Sequence, residues 1–347
     1  MRKNLLRLAL SLAVTVFLVL AIEGIASLWG KWVASGQPPP VSEVSHCEYD
    51  PELGWRHIAN KHVANLYGPG LSLTTNGQHL RGTRDHALAD DQGKYRILCL
   101  GDSFTMGYGV ADDESYPALL AKEHADLETI NMGLGGYGLD QCYLWYQRDG
   151  TKFDVDVLLF TFIVGDFFRM NPIGNVANVP KPVLQLVDGD PVAVNVPVPN
   201  ILVPGFGARL VRLWQTSALC GLLPTTFAAP ALAPATIAAQ PFAPVSLRMF
   251  EILRDLSKQR GQRFVLALLP VYEDVGTERH ELVDGWLRPA LAARGIEMLD
   301  LRPAFRAVPK AELVEYFALG HYSRRGNLLA AKALLEGLRA AAPECPR

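Results

Sequence analysis

The sequence predicts an α/β domain, a three-layer sandwich with a mainly parallel sheet, standing behind one N-terminal transmembrane helix. Three observations predict it. An apolar run, Leu5 to Leu28, opens the chain. From Tyr95 onward, three short apolar strands each end in glycine or polar residues and are followed by helical spacing. The same alternation resumes near Pro244, after a long Pro/Ala/Val-rich stretch. A parallel sheet needs such crossovers, and helices on both faces supply them.

Arg2, Lys3 and Arg7 flank the apolar run at its start, and about 20 residues at 1.5 Å each cross the hydrocarbon core. The basic flank places residues 1–32 as a membrane anchor with its start in the cytoplasm and everything after Trp32 on the outer face. A cleavable signal peptide is the rival, since it too begins with basic residues. The run exceeds a usual signal core, and Trp29-Gly30-Lys31-Trp32 reads as an interfacial belt. Residues 33–46, with three consecutive prolines, read as a stiff spacer.

The 347 residues carry 33 Lys+Arg against 35 Asp+Glu, a formal charge of -2, which argues against a strongly basic nucleic-acid binder. Hydrophobic residues are 49% and charged ones 20%, too apolar for a disordered chain. The five cysteines (Cys47, Cys99, Cys142, Cys220 and Cys345) form no CxxC, and the eight histidines form neither HxH nor HExxH. No metal set or cofactor motif is therefore expected.

Residues 47–347 form the predicted α/β domain. Cys47 to Asp91 is irregular, with turn residues between strand-like pieces. The strand Tyr95–Leu100 ends at Gly101-Asp102-Ser103, and a helix is expected over Glu114–His124. The strand Glu128–Met132 runs into Gly133-Leu134-Gly135-Gly136-Tyr137-Gly138, then a helix over Leu139–Arg148. The third strand, Val155–Val164, ends at Gly165-Asp166. About 171–244 is too long for an ordinary connection and reads as a cap, with a hairpin around Val187-Asp188-Gly189-Asp190 and a short helix carrying Trp214. A helix over Pro244–Arg260, a strand Phe264–Leu269, a helix over about Glu278–Arg294, a strand Ile296–Leu299 and a last helix Arg325–Leu338 follow. Trp214, Phe242, Phe167 and Phe168 are candidates for an apolar wall.

Ser103, the Gly133 to Gly138 turn, Asp166 and His321 all sit where strand ends open on one sheet edge, the place where such sheets bind ligands. A serine there becomes a nucleophile when a histidine takes its proton. Taken singly, Ser103 also reads as a helix cap, Asp166 as a turn carboxylate and His321 as a surface residue.

The stretch Gly101-Asp102-Ser103-Phe104-Thr105-Met106-Gly107-Tyr108-Gly109-Val110 resembles the first signature of the SGNH (GDSL-like) hydrolases, particularly their membrane-anchored bacterial members. Asn131 to Gln141 resembles the second signature, and Leu53-Gly54-Trp55-Arg56 and Thr75 to Gly82 look like segments found ahead of such domains. The resemblance implies Ser103 as nucleophile and first oxyanion donor, Gly136 as second donor and His321 as general base. Two departures stand out. The third signature's asparagine is replaced by Gly165, and the carboxylate before the histidine by Ala318 and Leu319. Asp166, Asp300 and Glu315 are the candidate substitutes for the orienting acid.

The function implied is a serine-dependent esterase or O-acyltransferase acting on acyl groups of an envelope glycan or lipid. Its expected place is the bacterial inner membrane, single-pass, with the catalytic domain periplasmic. The alternative is a catalytically degenerate glycan- or lipid-binding scaffold, with an envelope protein as a further partner. No cofactor, metal or nucleic acid is implied.

Overall fold

The computed structural model describes residues 2–34, 45–90, 92–171, 180–199, 234–276, 280–342 and 344–346. Helix α1 spans Arg2–Ala34. Within it the 19-residue stretch Leu10–Leu28, of mean hydropathy 2.2, is long and apolar enough to cross a bilayer. Most of the spacer, Trp214, Cys220 and the larger part of the expected cap lie outside the described residues.

The body starts with two small hairpins, β1 (Cys47–Asp50) with β2 (Gly54–His57) and β3 (His62–Val63) with β4 (Leu73–Thr74). The sheet strands follow: β5 (Tyr95–Gly101), β6 (Leu127–Gly133) and β7 (Val157–Phe162). Next comes the expected hairpin, β8 (Leu184–Val187) with β9 (Asp190–Ala193). Two more sheet strands, β10 (Arg263–Leu268) and β11 (Met298–Asp300), complete the sheet. All pairings within it are parallel, in the order β6-β5-β7-β10-β11. Counted within the sheet this is 2-1-3-4-5, the doubly wound order whose crevice opens where the winding reverses, between β5 and β7.

Period-two alternation sends successive side chains to opposite faces. Leu98, Leu100, Leu158, Phe160, Phe162, Leu266 and Leu268 fill one core. Ile97, Cys99, Val157, Leu159, Val265 and Ala267 fill the other. Both are buried, which is why these strands read as continuous apolar runs rather than alternating ones. The residues after α1 introduce a four-residue helix α2 (Ser103–Met106), then α3 (Tyr116–Glu123), α4 (Leu139–Arg148), α5 (Gly165–Arg169), α6 (Phe242–Gln259) and α7 (Arg324–Ala341). Cys142 and Trp145 of α4 and Phe250 and Leu253 of α6 cover the first face. Tyr116 and Leu120 of α3 and Ala330, Ala331, Leu334, Leu335 and Leu338 of α7 cover the second.

Sequence boundaries agree within a few residues, with one change of form. The helix expected over Glu278–Arg294 is a wide π-type turn over Glu281–Leu287 that passes into a short α-helix, Arg288–Ala292. The expected apolar wall is also corrected. Phe167 and Phe242 are core residues, 0% and 2% exposed, packed on Trp286 at ring-centroid distances of 5.7 and 6.3 Å. They fill the space between α5, α6 and the π-type turn, and of the three described aromatics only Phe168 reaches the surface.

The leading segment is bound to the sheet rather than draped over it. Arg81, almost wholly buried, donates to the carbonyls of Met106, Gly107 and Val110 and pairs with Asp112 at 3.1 Å. A guanidinium with five fixed donors satisfies a curled loop that has no ladder partner. In the first hairpin, His57 is fully buried beside His46, and burial pulls its imidazole down to about 3, so it is neutral.

Candidate active site

The first strand delivers its serine through a tight elbow. Gly101 closes β5 where an added Cβ would lie 2.1 Å from Thr105 Oγ1 and 2.7 Å from Thr161 Oγ1, so only glycine fits. Asp102 caps α2, its Oδ1 accepting from the Phe104 amide at 2.9 Å. Thr105 Oγ1 meets Thr161 Oγ1 of β7 at 2.5 Å, with the Tyr116 hydroxyl 3.0 Å from Thr161. These bonds pin the turn that carries Ser103 to the neighbouring strand. Ser103 is 4% exposed.

His321 arrives from 218 positions away in sequence, and its Nε2 lies 2.8 Å from Ser103 Oγ. It sits on a feature the sequence did not reveal, a minimal hairpin of β12 (Phe317–Ala318) and β13 (His321–Tyr322). Leu319 and Gly320 form its two-residue turn, with φ of 52° and 72°. Two positive φ values match the strand twist of a hairpin, but leucine is a poor occupant of that region. The turn aims the Leu319 carbonyl at His321 Nδ1, 2.9 Å away. With Nδ1–H donating to a carbonyl, Nε2 is left as the acceptor for the serine proton. Leu319 is half exposed, so its side chain gives little packing in return for the strain of the turn. Leu319→Asn should therefore raise stability by about 1 kcal/mol while keeping the serine–histidine geometry. A lower denaturation midpoint for that variant would show that the leucine side chain, not the turn, holds the hairpin.

Aromatic rings hold the imidazole from the sides. Tyr108 stacks on it at 4.4 Å and 29°, and Phe104 lies at 4.8 Å. Tyr67 of the leading segment packs on Tyr108 in turn, at 4.8 Å.

The three carboxylates expected as substitutes for the orienting acid are engaged elsewhere. Asp300 is bound by Arg288 and Arg302, and Glu315 by Arg325. Asp166 is turned inward, but its Oδ1 takes Arg169 Nη1 at 2.6 Å and its Oδ2 the Ile163 amide at 3.0 Å. Such pairings join residues that sequence cannot bring into register, so the carboxylates offered no signal of their partners.

Arg169, which sequence reasoning passed over, also reaches Asp102 Oδ2 at 2.8 Å. One guanidinium thus ties the serine's own neighbour to the end of β7. Burial and the facing Asp102 push the Asp166 carboxyl well above its ordinary range. A second buried pair, Lys181 with Asp140, fixes the chain after β7 to α4, and Lys181 Nζ also donates to the Arg169 carbonyl at 2.7 Å. The signal available was a lone arginine in the otherwise apolar Phe167-Phe168-Arg169-Met170.

Gly136 lies in the turn after β6 with φ of 77°, a conformation that suits glycine. Trp55 of β2 backs this turn, donating from Nε1 to the Gly135 carbonyl at 3.1 Å, while the Tyr137 hydroxyl donates to the Trp55 carbonyl at 2.5 Å. Among the described residues neither the Ser103 nor the Gly136 amide is spent on a hydrogen bond. Gly165 opens α5 with no positive φ, and an added Cβ would meet Ile163 Cδ1 at an ordinary 3.4 Å. A side chain at this position is thus compatible with the backbone.

Comparison with known proteins gives the following. No family model matches the sequence, and no curated protein matches it. Among solved structures, an acetyl xylan esterase, AlAXEase, aligns with 70% of this chain and 99% of its own at 13% identity and a TM-score of 0.41. A member of the lipolytic protein G-D-S-L family from Veillonella parvula DSM 2008 aligns with 70% of this chain and 97% of its own, at 13% identity and a TM-score of 0.39. A lipase/acylhydrolase from Enterococcus faecalis aligns with 71% and 96%, at 12% identity and a TM-score of 0.39.

Proposed function

We propose that this protein is a serine-dependent esterase or O-acyltransferase of the SGNH type, working on acyl groups of an envelope glycan or lipid from the outer face of the membrane in which α1 is anchored. The observation that carries the reading is the 2.8 Å contact between Ser103 Oγ and His321 Nε2, with Nδ1 committed to a carbonyl. The sequence resemblance around Gly101 to Val110 and Asn131 to Gln141 supports the same reaction class.

In this mechanism Ser103 Oγ attacks the acyl carbon as its proton passes to Nε2. The amides of Ser103 and Gly136 receive the oxyanion. The imidazolium gives its proton to the departing alcohol, leaving an acyl-serine that water or an acceptor hydroxyl then resolves. The imidazolium is stabilised by the Leu319 carbonyl and by the faces of Tyr108 and Phe104.

A fluorophosphonate tests the first step, since only an activated serine displaces its fluoride. Wild type should carry one adduct, on Ser103, and His321→Ala should lose it. Ala318 lies directly opposite His321 in the hairpin, so Ala318→Asp sets a carboxylate beside the ring and should speed labelling by about tenfold. No adduct on wild-type Ser103, or equal labelling of the His321→Ala protein, would defeat the proposal.

A further inference from the structure

The first hairpin brings together a histidine, a cysteine and a second histidine that sequence spacing does not unite. Cys47 and His57 are cross-strand partners at its open end, and the Ile58 amide closes that end on the His46 carbonyl at 2.8 Å. One nitrogen from each imidazole and Cys47 Sγ all lie within 4.8 Å of one another. The two rings are 5.6 Å apart, centroid to centroid.

The His57 ring supplies an independent observation. Its Nδ1 faces the His79 carbonyl at 3.3 Å, and a carbonyl accepts only, so Nδ1 carries the hydrogen. Nε2 is then a bare lone pair, and it is buried with no hydrogen-bond partner. An imidazole whose outer N–H is held by a carbonyl while its inner nitrogen points into a buried space is arranged as metal-ligating histidines are.

We propose that His46, Cys47 and His57 form a binding site for a thiophilic divalent transition-metal ion of the zinc type, which staples the open end of the β1–β2 hairpin. One thiolate and two imidazoles are borderline to soft donors, the set that suits zinc, and no oxygen-rich cage for magnesium or calcium is present among them. Bonds of about 2.0–2.3 Å would draw the three donors closer together than they stand. Binding converts the Cys47 thiol to a metal-bound thiolate and releases one proton. Cys47 is partly exposed, which leaves an approach for the ion and for a fourth ligand from solvent. The site is separate from the Ser103 chemistry, yet the same hairpin carries Trp55 to the turn of Gly135 and Gly136. A metal here stiffens that support from the far side.

The test uses the full-length, untagged protein in detergent, stripped with a chelator and titrated with Co(II), then Zn(II). One equivalent of Co(II) should produce a sulfur-to-cobalt charge-transfer band in the near ultraviolet, which Zn(II) displaces. Cys47→Ser should lose the band, and His57→Gln should weaken binding at least tenfold. Zn(II) should raise the Tm of wild type and leave that of Cys47→Ser unchanged. Because Cys47 is only partly buried, whereas His57 is fully buried, its serine variant keeps the test sound if the His57 variant does not fold. Absence of the band in wild type, the same band in Cys47→Ser, or an equal Zn(II) shift in both proteins overturns the site.

Discussion

Replacing Ser103 by alanine should lower kcat/KM on O-acylated glycans and short-chain aryl esters by at least about 10³-fold without changing the fold. His321→Ala should cost about as much, and the double variant no more than either single one, because the two groups act as one unit across their 2.8 Å contact. The group removed is one hydroxyl, which donates to His321 Nε2 at 2.8 Å and stands 3.4 Å from Asp102 Oδ2. Its loss leaves the Asp102 cap on the Phe104 amide in place. Equal kcat/KM for wild type and Ser103→Ala across such a panel would leave Ser103 as a turn residue and sink the enzyme reading.

Arg169→Met should destabilise the body by about 3–5 kcal/mol, the usual result of stripping one partner from a buried ionic cluster. Arg169 Nη1 contacts Asp166 at 2.6 Å and Asp102 at 2.8 Å, and both acids are buried. Without the guanidinium, Asp166 faces Asp102 out of water with no cation between them, which drives the Asp166 carboxyl further toward its protonated form. The sign of the pH dependence follows. A carboxyl whose folded-state affinity for protons is raised contributes stability that is complete below its unfolded value of about 4 and is lost as pH rises from there through the raised folded value. The deficit of Arg169→Met should therefore be small near pH 4 and grow toward neutrality. Asp166→Asn in the same chain should restore part of it, being neutral at every pH. Denaturant midpoints across that range measure both effects, and a deficit independent of pH would mean that Arg169 acts through packing alone.

The sheet strands were legible as short, mostly apolar runs closed by glycine, proline or a polar residue, and burial on both faces makes the three central runs conspicuous. Ser103 was legible from its place just past a strand end and the likeness of its flanking motif, and His321 from its place just before the last helix. The hairpin that delivers His321 was not. Its strands have two residues each, too short for any period, and its turn is Leu319-Gly320 rather than the Asn-Gly or Asp-Gly that announces such turns. The β8–β9 turn shows the contrast, since Asp188-Gly189 with φ of 52° and 88° was read correctly. The ion pairs of Asp300, Glu315 and Asp166 depend on arginines whose reach only the folded chain fixes. The expectation of no metal set rested on linear spacing, whereas His46, Cys47 and His57 meet through strand pairing.

Arg81 has a bearing on how this unit can be inherited or borrowed. Its guanidinium closes the loop that follows Ser103 by donating to the carbonyls of Met106, Gly107 and Val110. The stretch before the first sheet strand thus braces the loop that follows Ser103 and is not a leash. Recombination that joined a new membrane anchor directly to Tyr95 would carry over the whole sheet and still deliver an open, unsupported serine loop. Gene fusions that preserve this bracing must cut upstream of His46.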